Sequence, residues 1–198
     1  ENYSQLKKFS LVIKKLIKQK KFLFRTAASF ISSISEKKSV SQSEIFFSNL
    51  RIRNKEKSFL PGLIIVGSYV ELSTIQLNNL LEISNCNPVE LDVFEFFKIT
   101  SSDNNQKRMN LFKKKFLKEI RFSFVKGKTP VLFTSRELMS LDSSELFSFY
   151  NLLACFIAEI VADLKYEIGY LISKGGITTN LILSNGLNAD YVYLEGQI

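Results

Sequence analysis

The sequence predicts a three-layer α/β/α protein, in which helices cover both faces of a mainly parallel or mixed sheet. Short apolar runs such as Leu63–Val66 and Val131–Phe133 are typical of strands that are buried on both faces. Helical patterns separate these runs, and this alternation favours parallel strand pairing. Three runs end in small or polar residues, so a ligand site is expected where the carboxyl ends of the strands meet.

The first 58 residues are predicted to contain two helices, a short strand and a linker. Lysines and apolar residues alternate at helical spacing over residues 5–20. Phe22–Phe24 predicts a short strand, and Thr26 is placed to cap a helix from Ala27 to about Ile34. Residues 36–58 are polar with little periodicity, which predicts a linker or a long crossover.

The rest of the chain alternates between apolar strands and helices. The predicted strands are Leu63–Val66, Val89–Phe94, Val131–Phe133, Tyr170–Ile172 and Tyr191–Leu194. The predicted helices are Ser73–Leu81, about 106–125, Asp142 to about Leu164, and about two turns after Gly176. Capping-box spacing, in which Gln or Glu follows the capping residue by three positions, marks the helix starts at Ser73 and Asp142.

Lysines concentrate in residues 7–21 and 107–128, and the net charge of the chain is +8. Each segment could be the solvated face of a surface helix or part of a nucleic-acid-binding surface. A nucleic-acid surface would also need exposed aromatic side chains on which bases can stack. Phe112 and Phe116 fall on the apolar stripe instead, which favours solvated helices.

The composition excludes several kinds of site. The chain has no histidine, and its two cysteines, Cys86 and Cys155, are not spaced as metal ligands, which argues against a zinc site or a His-based triad. Any metal would be a hard ion such as Mg²⁺, bound together with a phosphate substrate. Unpaired cysteines favour a reduced, cytoplasmic protein. No apolar run reaches the roughly 20 residues that span a bilayer, so no membrane partner is expected.

A glycine pair is the first candidate for a binding site. Gly175 and Gly176 lie between a predicted strand and a helix, and Thr178 or Thr179 could cap that helix. Free N–H groups at such a helix start are typical of a phosphate site, although a plain turn would have the same residues. Ser68 ends another strand, where its hydroxyl and N–H could bind phosphate or simply complete a turn.

Three basic residues are further candidates, each with a structural alternative. Arg136, at a strand end, could clamp a phosphate or pair with Glu137 or Glu145. Arg25 could act at a hinge, contact a substrate or have a purely structural role. Lys174 could neutralise phosphate charge or point to solvent.

Taken together, the motifs resemble those of a known kinase family. Five segments occur in the order and approximate spacing of the four-carbon acid sugar kinase family: Phe24-Arg-Thr-Ala-Ala-Ser-Phe30, Val66-Gly-Ser-Tyr69 with Thr74 and Gln76-Leu77, Thr134-Ser-Arg-Glu137, Ser173-Lys-Gly-Gly-Ile-Thr178, and Gly196-Gln-Ile198. The resemblance begins at about Phe22 and is weak in the linker. It implies an ATP-dependent kinase, using Mg²⁺, that phosphorylates 3-oxo-tetronate, threonate or erythronate.

The resemblance also implies a domain arrangement and a set of nucleotide contacts. Residues 1–35 would be the tail of an N-terminal acid-sugar-binding domain, 36–58 a linker, and 59–198 a nucleotide-binding domain truncated at its C-terminus. The implied ATP contacts are Ser68, Gly175, Gly176, Ile177 and Thr178.

The family's acidic substrate motif would lie upstream of Glu1, and its last nucleotide glycine beyond Ile198. The chain is therefore expected to be a fragment that binds ATP weakly, if at all, and does not phosphorylate threonate or erythronate by itself. A homo-oligomer is a further expectation. The alternatives are a non-enzymatic basic module that binds nucleic acid and a degenerate structural homologue.

Overall fold

A computed structural model of the protein describes residues 2–35, 44–102, 105–136 and 142–193. The chain divides into two compact units: the described part of Glu1–Phe46 belongs to the first, and Phe47–Tyr193 forms the second. Helix α3, Glu44–Leu50, crosses this boundary and lies within the segment predicted as a linker. Residues 36–43 of that linker lie outside the described ranges. The assignment of residues 1–35 to a sugar domain stays a prediction.

The described residues of the first unit include the helices α1 (Tyr3–Ile17) and α2 (Ala28–Ser35), which lie close to the predicted positions. The strand predicted at Phe22–Phe24 is wrong, because residues 21–27 have no regular structure. A run of three apolar residues cannot satisfy its backbone groups as a strand without a neighbouring strand. The rings of Phe22 and Phe24 instead stack on each other, with their centroids 5.8 Å apart.

The second unit is built on a sheet of four parallel strands: β1 (Gly62–Val66), β2 (Cys86–Leu91), β3 (Thr129–Thr134) and β4 (Tyr170–Lys174). Their order across the sheet is β2-β3-β1-β4, and every pairing is parallel. The register places Val66 beside both Phe133 and Lys174, so the carboxyl ends of β1, β3 and β4 lie level with one another.

Helices cover both faces of this sheet. They are α4 (Glu71–Leu81), α5 (Val93–Thr100), α6 (Asn105–Val125), α7 (Ser143–Leu164) and α8 (Gly176–Leu181), which continues as a π-helical turn at Ile182–Gly186. On one face, Leu63 and Ile65 of β1 pack in a cluster with Ile157 of α7. On the other face, Ile64 packs with Leu77 of α4. The predicted three-layer α/β/α fold is confirmed.

The second strand ends at an earlier residue than the sequence predicts. β2 ends at Leu91, and Asp92 caps α5 by accepting hydrogen bonds from the N–H groups of Phe94 and Glu95 at 2.8 and 3.0 Å. Phe94 therefore belongs to a helix that the sequence reading missed. The apolar residues around Phe96 resemble a continuing strand, and only the capping side chain distinguishes the two.

One predicted helix start and one predicted strand are also wrong, whereas one predicted helix cap is confirmed. α4 begins at Glu71 rather than at Ser73, and no side chain caps it. Tyr191–Tyr193 form no strand, and Leu194 of that prediction lies outside the described residues. Asp142 does cap α7, where it accepts hydrogen bonds from the N–H groups of Ser144 and Glu145 at 2.9 Å.

The Lys-rich helix α6 is amphipathic, as predicted. Phe112 and Phe116 are buried, so neither ring is available for base stacking. Basic side chains of α6 form ion pairs with two neighbouring helices and with the turn after α7: Lys113 with Glu159 (3.3 Å) and Asp163 (3.2 Å), Lys115 with Glu95 (3.6 Å), and Arg121 with Glu167 (2.6 Å). These pairs support the interpretation of this segment as the solvated face of a helix.

One helix in the described part of the chain is long and apolar enough to cross a membrane by length and composition alone. It is the Ser144–Leu164 stretch of α7. This is weak evidence, because the core helix of a globular protein passes the same test. Phe156, Ile157 and Ile160 of this helix are buried in the main apolar cluster of the second unit, which accounts for its hydropathy.

Candidate functional site

The ends of β1, β3 and β4 meet at one edge of the sheet. Past these ends lie Gly67-Ser68, Ser135-Arg136 and Gly175-Gly176. The N–H of Gly67 donates to the carbonyl of Lys174 at 3.0 Å, and Nη1 of Arg136 donates to the carbonyl of Ser68. The convergence expected from the sequence is therefore present in the structure.

A cleft of about 390 Å³ opens at this edge. One side is formed by the ends of β1, β3 and β4 with the start of α8: Gly67, Ser68, Tyr69, Val70, Thr134, Gly175, Gly176, Ile177 and Thr178. The other side is one face of α7: Leu146, Phe147, Tyr150, Leu153, Ala154 and Ile157. Five predicted nucleotide contacts, Ser68 and residues 175–178, thus line a single cleft.

The sheet topology explains why the cleft forms at this position. β1 and β3 are neighbours, yet the helices that follow them, α4 and α7, pack on opposite faces of the sheet. The two connections separate at the carboxyl ends of the strands and leave a crevice between them. Parallel α/β sheets bind ligands in such crevices.

Two glycines are required by the fold itself. Gly175 has φ +121°, a conformation that residues with a side chain rarely adopt, and a Cβ there would lie 3.3 Å from the N of Ser68. At Gly67, a Cβ would lie only 2.2 Å from Oγ1 of the buried Thr178. Because neither glycine carries a Cβ, the end of β1 can lie against the start of α8.

The fold does not require a glycine at position 176. Its φ lies outside the left-handed region, and a Cβ there would meet no atom of the described chain within 4 Å, apart from chain neighbours and the backbone of its own helix. Gly176 also lines the cleft. The residue therefore leaves open space where a ligand can approach the backbone.

Neither Thr178 nor Thr179 caps α8, although the sequence predicts that one of them does. The N-cap is Gly175, and no side-chain hydrogen bond caps the helix. Thr178 is buried against Gly67, and Thr179 shares a hydrogen bond of 2.8 Å with Ser173. The first intrahelical bond runs from the N–H of Thr179 to the carbonyl of Gly175, so the N–H groups of residues 176–178 have no partner within the helix.

The hydroxyl of Ser68 is held by a residue that sequence reasoning missed. Ser73 is 1% exposed, and its Oγ donates to Oγ of Ser68 at 3.0 Å. Ser68 thus accepts one hydrogen bond and keeps its own proton to donate. The sequence predicts Ser73 as a helix cap instead, and two serines in different elements carry no pattern that reveals their contact.

We predict that Ser73→Ala weakens nucleotide binding about fivefold while costing about 1 kcal/mol of folding stability, the usual worth of one hydrogen bond. Calorimetric titration with ATP and urea unfolding measure the two effects. Ser123→Ala is the matched control, because Ser123 is equally buried and accepts a hydrogen bond from Asn87 at 2.9 Å. Equal loss of ATP affinity in both variants would show that Ser73 does not act through Ser68.

Arg136 does not line the cleft itself, but it donates a hydrogen bond to Ser68, which does. Its Nη1 bonds to Ser68, while Nε and Nη2 are buried without a hydrogen-bond partner in the described chain. Burial lowers the pKa of the guanidinium, and the charge of Glu90 raises it in part. Arginine stays protonated even so. No ion pair joins it to Glu145 in the described structure, and Glu137 lies outside the described residues.

Two other basic candidates are not brought to the cleft lining. The carbonyl of Lys174 accepts the bond from Gly67, but its side chain does not line the cleft. Arg25 belongs to the first unit, where it is exposed. A role for either side chain stays a prediction.

Two tyrosines that the sequence analysis did not select also line the cleft. The rings of Tyr69, after β1, and Tyr150, on α7, stack with their centroids 5.0 Å apart and an angle of 21° between their planes. Burial, and secondarily the neighbouring Tyr69, raises the pKa of Tyr150. Only the fold brings these two positions together.

No protein-held metal site accompanies the cleft in the described part of the chain. No three His, Cys, Asp or Glu side chains cluster there, and the described cleft lining contains no carboxylate. The hydroxyls of Ser68, Thr134 and Thr178 alone do not make the set of oxygen ligands that holds Mg²⁺. Any such ion would depend on the phosphates of a bound nucleotide.

A match to a protein-family model agrees with this geometry. No curated protein and no solved structure matches the chain. A family model described as "Nucleotide-binding C-terminal domain" matches residues 63–198, which include every strand of the sheet, except Gly62 at the start of β1, and every residue of the cleft. The chain belongs to this family, the C-terminal domain of four-carbon acid sugar kinases.

Proposed function

We propose that the second unit binds ATP and serves as the nucleotide half of a kinase that phosphorylates a four-carbon acid sugar. The triphosphate would lie at the edge where β1, β3 and β4 end. The acceptor, of the 3-oxo-tetronate, threonate or erythronate type, would come from a separate acid-sugar-binding domain. The family supports nucleotide binding directly, and ATP and the acid sugar are the specific proposals.

The observation that supports this proposal most is the open space over Gly176. Gly176 is exposed, and a Cβ there would meet no atom of the described chain within 4 Å beyond its chain neighbours and its own helix backbone, so a ligand can reach its backbone. The free N–H groups of residues 176–178 and the hydroxyl of Ser68 border the same cleft. Backbone N–H groups at a helix start and a strand-end hydroxyl are donors suited to phosphate oxygens.

The charge around the cleft also favours a polyanion. Arg136 lies directly behind Ser68 and has no ion-pair partner in the described structure. No acidic side chain is among the described cleft residues to repel a phosphate. Phosphoryl transfer needs mainly positioning and charge stabilisation from the protein. This domain would supply the positioning of the nucleotide, and Mg²⁺ would arrive bound to its phosphates.

The proposal predicts that Gly176→Asp weakens ATP binding at least tenfold without lowering stability. The new carboxylate fills the space over the backbone and repels the phosphates. An acidic residue in the first turn of a helix is otherwise favourable, so the melting temperature should stay the same or rise. Calorimetric titration with Mg-ATP, at ligand concentrations high enough for weak binding, and thermal unfolding measure both quantities.

Gly127→Asp is the matched control for this variant. Gly127 lies at the opposite edge of the sheet with φ +67°, a conformation that Asp tolerates better than most residues, and a Cβ there meets no atom within 4 Å. The same charge change at Gly127 should leave ATP binding intact. Equal weakening by both substitutions would assign the effect to net charge, and no binding by the wild-type chain would favour a degenerate structural homologue.

A further inference from the structure

The cleft has two chemically different halves. The half at the strand ends offers N–H groups and hydroxyls, whereas the α7 side is apolar apart from Tyr150, with Leu153, Ala154 and Ile157 among its residues. Phosphate oxygens gain nothing from an apolar wall. A flat, weakly polar group attached to the phosphates would fill this half with favourable contacts.

The aromatic pair lies where the two halves meet. Tyr69 directly follows Ser68, and its ring stacks on Tyr150 of α7. Tyr150 is held from the core side by Phe149, whose ring centroid is 5.5 Å away and which is itself 6% exposed. Tyr69 stands on the irregular segment after β1 and is 41% exposed. The pair thus combines a fixed ring with one that still offers surface to a ligand.

We propose that Tyr69, supported by Tyr150, is the stacking platform for the nucleobase and makes the site prefer purine over pyrimidine nucleotides. This inference rests on the proposed nucleotide function and adds the residues that select the base. A purine has the larger ring surface, so it gains more from stacking. The described lining has hydroxyls but no amide or charged side chain to read the edge of a base, so stacking carries the selectivity.

The test compares three probes by calorimetric titration of the full chain: ATP, UTP and inorganic tripolyphosphate. Wild-type protein should bind ATP more tightly than UTP. Tyr69→Leu, which keeps apolar bulk but removes the ring, should weaken ATP binding about tenfold and leave tripolyphosphate binding unchanged. Tyr69→Phe, which keeps the ring, should bind ATP within about twofold of wild type. Tyr166→Leu is the remote control, because Tyr166 is 84% exposed beyond the end of α7.

The outcomes separate this inference from the proposed function. If ATP and tripolyphosphate both bind but Tyr69→Leu changes neither affinity, the platform is wrong and the phosphate site stands. Equal weakening of ATP and tripolyphosphate by Tyr69→Leu would also overturn the platform, because the ring would then act on the phosphate half. If the wild-type chain binds neither probe, the proposed function fails and the platform fails with it.

Discussion

Gly67→Ala is expected to lower the free energy of unfolding by about 3 kcal/mol, near the upper end for overpacking a well-packed site. The new Cβ would lie 2.2 Å from Oγ1 and 2.9 Å from Cβ of Thr178. Thr178 is 6% exposed, so its side chain has little room to move away. For a protein of this size the change corresponds to a fall in melting temperature of about 6–12 °C.

Three further variants locate the origin of this effect. Gly176→Ala makes the same substitution at the start of α8, where a Cβ would meet no atom of the described chain within 4 Å beyond its chain neighbours and its own helix backbone, and should leave stability unchanged or slightly raised. Thr178→Ala removes the closest clashing atom, so the double variant Gly67→Ala/Thr178→Ala should recover part of the lost stability. Urea unfolding measures the four variants and the wild-type protein. Wild-type stability of Gly67→Ala would show that β1 and α8 are not in the contact described above.

Replacing Arg136 with methionine is expected to weaken ATP binding at least tenfold while leaving the free energy of unfolding unchanged or raised by about 1 kcal/mol. Burying a guanidinium whose Nε and Nη2 have no partner in the described chain costs stability, and methionine removes that cost while keeping contact with Phe133. Binding suffers because Ser68 loses the donor that fixes its carbonyl and the cleft loses a nearby positive charge.

Calorimetry at two salt concentrations and urea unfolding test this combination. Arg136→Lys keeps the charge but loses the planar set of donors, so its ATP affinity should fall between those of wild type and the methionine variant. The methionine variant should also lose less affinity at the higher salt concentration than wild type does. ATP affinity equal to wild type in the methionine variant would mean that Arg136 serves the fold alone.

The sequence predicted the two central strands, β1 and β3, well because they are buried on both faces. Leu63 and Ile65 face one helical layer and Ile64 faces the other, so the run is apolar throughout and stands out from helical patterns. The level carboxyl ends follow from parallel pairing. For that reason the sequence alone predicts that Ser68 and Gly175 lie close together.

The errors arose where one side chain or one long-range contact decides the structure. Asp92 begins a helix, and its capping-box spacing to Glu95 is a signal in the sequence that the surrounding apolar run obscured. The sequence left Arg136 open between clamping a phosphate and pairing with Glu137 or Glu145, and it did not predict the bond that Arg136 donates to the backbone carbonyl of Ser68. Tyr69 and Tyr150 meet only because α7 packs beside the end of β1. Sequence periodicity carries no information about such contacts.

The phosphate site that we propose is formed by the ends of β1 and β4 and the start of α8, and an NMR titration tests it most directly. Because the chain has only eight glycines, selective ¹⁵N-glycine labelling gives a simple amide spectrum. Mg-ATP should shift the resonances of Gly67, Gly175 and Gly176 and leave those of Gly127 and Gly169, at the opposite edge of the sheet, in place. Shifts at Gly127 or Gly169 without change at Gly175 and Gly176 would contradict the account.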